Sequence, residues 1–574
     1  MTMTGQTTGT NESAKRLHEL LAADWEWRLK DSPEMATWMG DNRYDDRWVD
    51  RTQKARTTRD AHPAQMLRAL KELDRSKLSA EDQLNYDLFK RESEMSLERQ
   101  KFPGDLVPLN QMGGAHQDIP DILLLMPKRT EKDFANVAKR LRAAGTMLDE
   151  EILLMREGLA KGITQPRISL REIPKQIEAH VVDDPKKSPV YAIVDKAIPS
   201  TLSAEAQTRI RTDIATALKE NVIPAYRRLH KFLVDEYLPK SREAVGISSV
   251  AGGAEWYRFR VREMTTTDMT PDQIHEIGLS EVKRIRAEME RVKKEAGFDG
   301  TLAQFFDFLR TDKRFYFTEK EALLAEYRNI AKRIDPELPR LFGRLPRLTY
   351  GVVPIPEYSE KTQTTAYYNS GSLESGRPGY FYANTYNLAA RPRWEMEALT
   401  VHEAVPGHHL QIAIAQEIEG LPDFRQNGNY TAFVEGWGLY SESLGPELGL
   451  YKDPYSKFGQ LTYEMWRAIR LVVDTGMHSK GWTRQQAIDF FKQNASKTEH
   501  DITVEVDRYI VWPGQALAYK IGELKIKELR KRAETKLGDK FDIRKFHDTV
   551  LGAGPLPLAI LEKRVDAWIL GASR

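Results

Sequence analysis

The stretch Val401-His402-Glu403-Ala404-Val405-Pro406-Gly407-His408-His409-Leu410-Gln411 decides how this chain is read. It places three of the twelve histidines within eight residues, with a glutamate directly after the first. Imidazole is a common zinc ligand. A His-Glu pair on a helix, with a second His further along, is the layout of zinc hydrolases. The histidines hold the metal and the glutamate serves as general base. The spacing departs from the usual H-E-x-x-H. The fourth residue after His402 is Pro406, which offers no ligand atom, and His408 and His409 lie six and seven on. On an unbroken helix six residues rise about 9 Å and point roughly 120° away, while seven rise about 10.5 Å on nearly the same face. Neither suits a shared metal. Pro406 removes a backbone donor and Gly407 frees the backbone. A helix loosened there could turn His408 back beside His402, and His408 and His409 both stay open as the second ligand.

A third ligand is expected downstream, in Tyr430-Thr431-Ala432-Phe433-Val434-Glu435-Gly436-Trp437-Gly438-Leu439-Tyr440-Ser441-Glu442. This reads as a second helix, with Glu435 and Glu442 seven apart on one face. Glu435 stands among Ala, Phe, Val and Trp, where an ionised carboxylate is costly unless paired or metal-bound. The alternative is that both are ordinary surface acids.

HEAVPGHHLQ followed by FVEGWGLYSE resembles the bacterial domain-of-unknown-function family 885, with its H-E-x-x-P-G-H and E-G-W-x-x-Y pattern. Thr270–Leu279, Trp512–Gly522 and Phe546–Asp548 match further, and the resemblance runs from about Trp25 to Trp568. It implies a mainly α, zincin-like (gluzincin) metallohydrolase, distantly similar to thimet-type oligopeptidases and Taq-type carboxypeptidases. A small β-sheet would lie beside the metal helix, with a helical lobe before it. The family pattern places the second histidine at His408.

Hydrophobic content of 41% and charged content of 30% are those of a globular protein. Lys+Arg 86 against Asp+Glu 84 gives no reason to expect nucleic acid as a partner. With no cysteine, disulfides and thiolate zinc sites are excluded, and a metal must sit on His, Asp or Glu. Residues 1–12 are Thr- and Gly-rich and read as a disordered tail, neither signal peptide nor anchor. No run of about 18 apolar residues suggests a membrane span. A cytoplasmic location is expected, with export as the alternative.

Helical periodicity is expected over Asp133–Gly158, with Val137, Leu141, Met147 and Leu148 near one side. A second long helix is expected over Ser203–Tyr237, capped by Ser203 and kinked at Pro224. Thr270, Pro271 and Gln273 make a capping-box start for a helix with the stripe Val282, Ile285, Met289 and Val292. Gly104–Pro120 reads as a loop. Arg347–Pro356, Gln363–Ser370 and Gly379–Tyr386 read as short strands. Tyr380–Asn384 is the candidate edge strand for an extended peptide, by analogy with zincins. The flexible stretch 246–253 separates an N-terminal helical lobe, 13–250, from a metal-binding catalytic lobe, 251–574, with a cleft between them.

An oxyanion donor is also needed. His478, Tyr509 and Tyr519 are the candidates, with Asp474 placed to pair His478 one turn away. Arg508, Gln515 and Lys520 could bind a substrate carboxylate or make ordinary salt bridges. His500 and His547 are expected to be structural. The reading is a zinc-dependent peptidase for short peptides. His402, His408 and Glu435 would bind one zinc ion per chain, and Glu403 would act as general base. A metal-dependent amidase or esterase on a small amide or ester is the alternative, and a non-catalytic metal-binding protein a third.

Overall fold

The structure, a computed structural model, describes residues 12–357, 360, 364–373 and 376–573. Most of the tail expected over 1–12 lies outside these residues, and Glu12 already opens the helix Glu12–Asp31. The chain forms two compact units. One holds the residues up to Val245 with Ser249–Gly253 and Pro422–Phe424; the other holds Gly246–Ser248, Ala254–Leu421 and the residues from Arg425 on. No helix among the described residues is long and apolar enough to cross a membrane.

The first unit is built on the helix Glu131–Lys161, which opens on a Thr130–Asp133 capping box and ends at Gly162 with φ 69°. Its buried Val137, Leu141, Met147 and Leu148 share a core with Ile210, Ile214 and Leu218. Those three belong to a helical run over 204–240, for which Ser203 is the cap, as its hydroxyl accepts from Ala206 N–H. Pro224 does not simply kink this run. Two π-turns, Leu218–Val222 and Leu233–Tyr237, stand before Pro224 and Pro239. A proline ring clashes with the carbonyl four residues back, here Glu220 and Asp235. Each of these lies inside a widened turn, which moves that carbonyl aside. The loop expected over Gly104–Pro120 is helical at its end, because Ala115–Leu125 forms a helix that buries Ile119, Ile122 and Leu123 around Pro120. Burial of the apolar face outweighs the proline penalty there.

In the second unit, Thr270 and Gln273 form the expected capping box of Pro271–Glu295. The stripe Val282, Ile285, Met289 and Val292 is buried. That helix packs along Pro454–Ser479, where a Cβ on Gly278 would lie 2.8 Å from the Leu471 and Val472 side chains. Pro454–Ser479 is buried almost all round, the mark of a central helix.

Three strands follow among the described residues: β1 (Tyr350–Pro354), β2 (Ala366–Asn369) and β3 (Gly379–Ala383). Gln363, expected to open the second, lies outside the described residues. The order is β1-β3-β2, with β1 parallel and β2 antiparallel to β3. The Tyr380–Ala383 stretch is therefore the central strand and not an edge, since both its sides are already hydrogen-bonded. β3 buries Gly379, Phe381 and Ala383 and turns Tyr380 and Tyr382 outward, the period of two of a half-covered sheet. Phe381 packs edge-on against Tyr327 of the helix Lys320–Ile334, with ring centroids 5.1 Å apart.

Candidate metal centre

His402 and Glu403 are the last residues of the helix Met396–Glu403. The helix stops because Ala404 leaves helical geometry at φ −100°, ψ −107°. A cis Val405–Pro406 bond and Gly407 follow, and a new helix, His408–Gln416, begins at once. His409 N–H bonds back to the Ala404 carbonyl at 3.1 Å. The turn is so tight that a Cβ on Gly407 would lie 1.9 Å from the His402 carbonyl oxygen, so only glycine fits. The six-residue spacing is thus spent on a chain reversal. The His402 and His408 rings stand 4.7 Å apart at 87°.

The helix Thr431–Glu442 fixes this turn from the other side. Trp437 Nε1–H donates to the Pro406 carbonyl at 2.8 Å, and the Ser441 hydroxyl reaches the same oxygen at 3.4 Å. The same helix delivers Glu435, whose Oε2 lies 3.7 Å from His402 Nε2 and 3.5 Å from His408 Nε2. One ligand atom from each of His402, His408 and Glu435 falls within 4.8 Å of the others. Tetrahedral zinc, with bonds of roughly 2.0–2.1 Å, holds its ligand atoms about 3.3 Å apart. The cluster could close on such an ion with small side-chain adjustments.

Glu442, one heptad after Glu435, is fully buried and takes His402 Nδ1 at 2.8 Å. Arg467 Nη2 approaches the same carboxylate oxygen at 3.6 Å. This contact fixes the tautomer and leaves His402 Nε2 facing the cluster, the usual support of a metal-binding imidazole. The sequence puts Glu442 on the face of Glu435, with a surface acid as the alternative; burial and the bond to His402 rule that alternative out for Glu442, and its spacing from Glu435 carried the signal. Burial opposes charge on His402, but the bonds to Glu435 and Glu442 outweigh it and raise the ring to about 9. Burial likewise opposes charge on Glu435, yet the neighbouring His408 and His402 hold its carboxyl well below the usual range. The arrangement calls for positive charge at its centre.

Glu403 is half-buried, and its carboxylate makes no hydrogen bond or ion pair among the described residues. It lies near enough to Tyr327 that its charge adds to burial in raising that hydroxyl's pKa. His409, by contrast, is fully committed. Tyr368 OH meets its Nδ1 at 2.8 Å and the Leu348 carbonyl its Nε2 at 3.1 Å. Burial keeps it neutral, lowered to about 4. Of the two adjacent histidines, His408 joins the cluster and His409 ties the helix to the sheet.

A family model described as "Bacterial protein of unknown function (DUF885)" matches residues 33–565. The chain belongs to the DUF885 family. No curated protein matches it. A crystal structure described as that of "the putative lipoprotein from Colwellia psychrerythraea" is similar over 98% of this chain and 100% of its own, at 27% identity and TM-score 0.90. A second solved structure, described as that of "a putative lipoprotein of unknown function from Shewanella oneidensis", covers 96% of this chain and 99% of its own at 17% identity and TM-score 0.73. The second likeness is one of fold alone.

The other candidates in this DUF885 chain are held elsewhere. His478 does not pair with Asp474. Its Nδ1 accepts from Ile247 N–H at 3.1 Å and its Nε2–H donates to the Tyr509 carbonyl at 2.9 Å. Asp474 instead takes Tyr257 OH and Gly514 N–H, at 2.5 and 3.1 Å. Tyr509 OH receives Trp466 Nε1–H and Arg470 Nε–H at 3.1 and 3.0 Å. Tyr519 OH receives Arg508 Nη2–H at 3.2 Å. Lys520 is fully buried within 3.0, 2.9 and 2.7 Å of Glu281, Glu464 and Glu523, a closed ion cluster with no room for a substrate carboxylate. His547 is buried and structural, between the Leu341 carbonyl and Tyr440 OH, each at 2.8 Å.

Proposed function

We propose that this protein is a zinc-dependent peptidase of zincin-like type acting on short peptides. The observation that carries the reading is the convergence of His402, His408 and Glu435, braced by Glu442, with an uncommitted Glu403 as the next residue after a ligand. A zinc ion held by the three would supply Lewis acidity toward a carbonyl oxygen and acidify water toward neutral pH. Cobalt or manganese would suit the same donors. Glu403 would take the proton of the attacking water and return it to the leaving amine. A purely structural metal site needs no free carboxylate beside its ligands, which weighs against a non-catalytic role. The description of both structural neighbours as lipoproteins favours an exported location over a cytoplasmic one.

The test is a pool of short peptides incubated with the protein and followed by mass spectrometry, with zinc content measured in parallel. Wild type should shorten peptides and carry one zinc. Glu403→Gln should carry the same zinc and leave the peptides intact. Equal cleavage by both proteins would remove Glu403 from the reaction and the mechanism with it.

A further inference from the structure

Arg470 lies on the central helix Pro454–Ser479, one turn past the Arg467 that approaches Glu442. Its guanidinium is packed between the rings of Trp466 and Tyr519, at 5.0 and 4.4 Å. Nε–H goes to Tyr509 OH and Nη2–H to Glu505 at 3.1 Å. Its Nη1 is buried and has no hydrogen-bond partner among the described residues. Arg508 comes from the helix Glu499–Val511. Its Nη2–H reaches Gln515 Oε1 at 2.9 Å and Tyr519 OH at 3.2 Å, and its Nη1 stands 3.6 Å from Glu505. Its Nε is also buried and unpartnered among the described residues.

Two guanidiniums therefore share one carboxylate. Neighbouring charges do not correct the surplus: Asp507 is taken by Arg484, and Lys497 is neutralised by Glu395. Buried charged donors without acceptors weaken a fold. The local surplus is one positive charge, with one buried N–H donor left over on each guanidinium, Arg470 Nη1 and Arg508 Nε. That matches a planar monoanion, a carboxylate, better than a phosphate dianion.

The cluster is joined to the metal-site candidates by two routes. Trp466 lies between Arg470 and Arg467, whose Nη2 is 3.6 Å from the Glu442 that holds His402. Tyr519 precedes Gly522 by three residues, about 4.5 Å of helix rise. Gly522 touches the backbone of Gly436, the residue after Glu435: a Cβ on either would lie within 2.7 Å of the other's Cα.

We propose that Arg470 and Arg508, with Gln515 and Tyr519, form a subsite for the free α-carboxylate of a short peptide. This rests on the peptidase reading and deepens it, directing cleavage to bonds near the carboxyl end. Glu403→Gln protein loaded with zinc is titrated by calorimetry with an N-acetylated tripeptide as free acid and as its C-terminal amide. The acid should bind roughly 10- to 100-fold more tightly, the worth of a charged hydrogen-bond pair. Adding Arg508→Gln should erase that preference, and Arg508→Lys, which keeps charge without the fork, should restore part of it. Arg508 is partly exposed and Glu505 keeps Arg470, so circular dichroism should show an intact fold. Acid and amide binding within threefold of each other, binding of neither, or a preference that survives Arg508→Gln would overturn the subsite. Wild-type assays separate the two readings. Selective binding of the acid with no bond cut removes the peptidase and keeps the subsite; equal cleavage of acid and amide with equal KM does the reverse.

Discussion

Gly438→Ala is the smallest change that should disable the metal centre. A Cβ at this position would lie 2.8 Å from His402 Cε1 and 3.1 Å from each ring nitrogen. Comfortable separation is about 3.5 Å, so the overlap is roughly 0.7 Å. The ring has little freedom to retreat, because Nδ1 is held by Glu442 and Nε2 faces Glu435, both on the helix that carries Gly438. A shift of that size exceeds the tolerance of about 0.2 Å on metal–ligand distances. Overpacking of this kind costs about 1–3 kcal/mol. Alanine in place of a mid-helix glycine returns about 1 kcal/mol of helix propensity. Urea unfolding of the metal-free protein should therefore move by no more than about 2 kcal/mol, while zinc affinity falls about 5- to 150-fold, the same 1–3 kcal/mol expressed as binding. Competition against a chelating dye gives the affinity. A Gly438→Ala protein that binds zinc as tightly as wild type and unfolds at the same urea concentration would refute the close approach and the pinning of His402.

Other substitutions divide the site by role. Glu442→Gln should weaken zinc about 10- to 100-fold in the same competition assay, the usual cost of losing a supporting carboxylate; unchanged affinity would deny it that part. His409→Ala should lower unfolding stability by about 1–3 kcal/mol by unpairing Tyr368 and Leu348 but keep one zinc per chain, whereas His408→Ala should lose the zinc, and the reverse pattern would reassign the ligand. Burial raises the Asp474 carboxyl to about 7, against the bonds from Tyr257 and Gly514. The folded state thus binds the proton more tightly than the unfolded chain, whose carboxyl titrates near pH 4 (~3.9). The stability this contributes is full below that pH and is lost as pH rises through about 7, up to about 4 kcal/mol. Asp474→Asn, compared with wild type by urea unfolding across that window, should remove this slope; parallel curves would mean that Asp474 is ionised throughout.

What the sequence made legible is what short-range patterns encode. The capping box at Thr270, the stripe from Val282 to Val292 and the three short strands need only neighbours a few residues away. So do the two local motifs of the site, a His-Glu helix and a separate helix bearing Glu435. The choice between His408 and His409 was open because it turns on one chain reversal at residues 404–407, which no helical period describes, and on partners 61 and 41 residues upstream. His478 was misjudged for the same reason, since its Nδ1 is taken by a backbone amide 231 residues away. Pro224 announced a missing donor but not the π-turn that relieves its ring. Lys520 and Arg508 show the limit most clearly. Both are cations within a few residues of Gln515, and both looked able to hold a carboxylate. Lys520 is met by three glutamates from three different helices and is spent on the fold. Arg508 shares a single glutamate with a second arginine. The difference is a sum of charges gathered from distant segments, and it is that surplus, not the residue type, that marks a place for a substrate carboxylate.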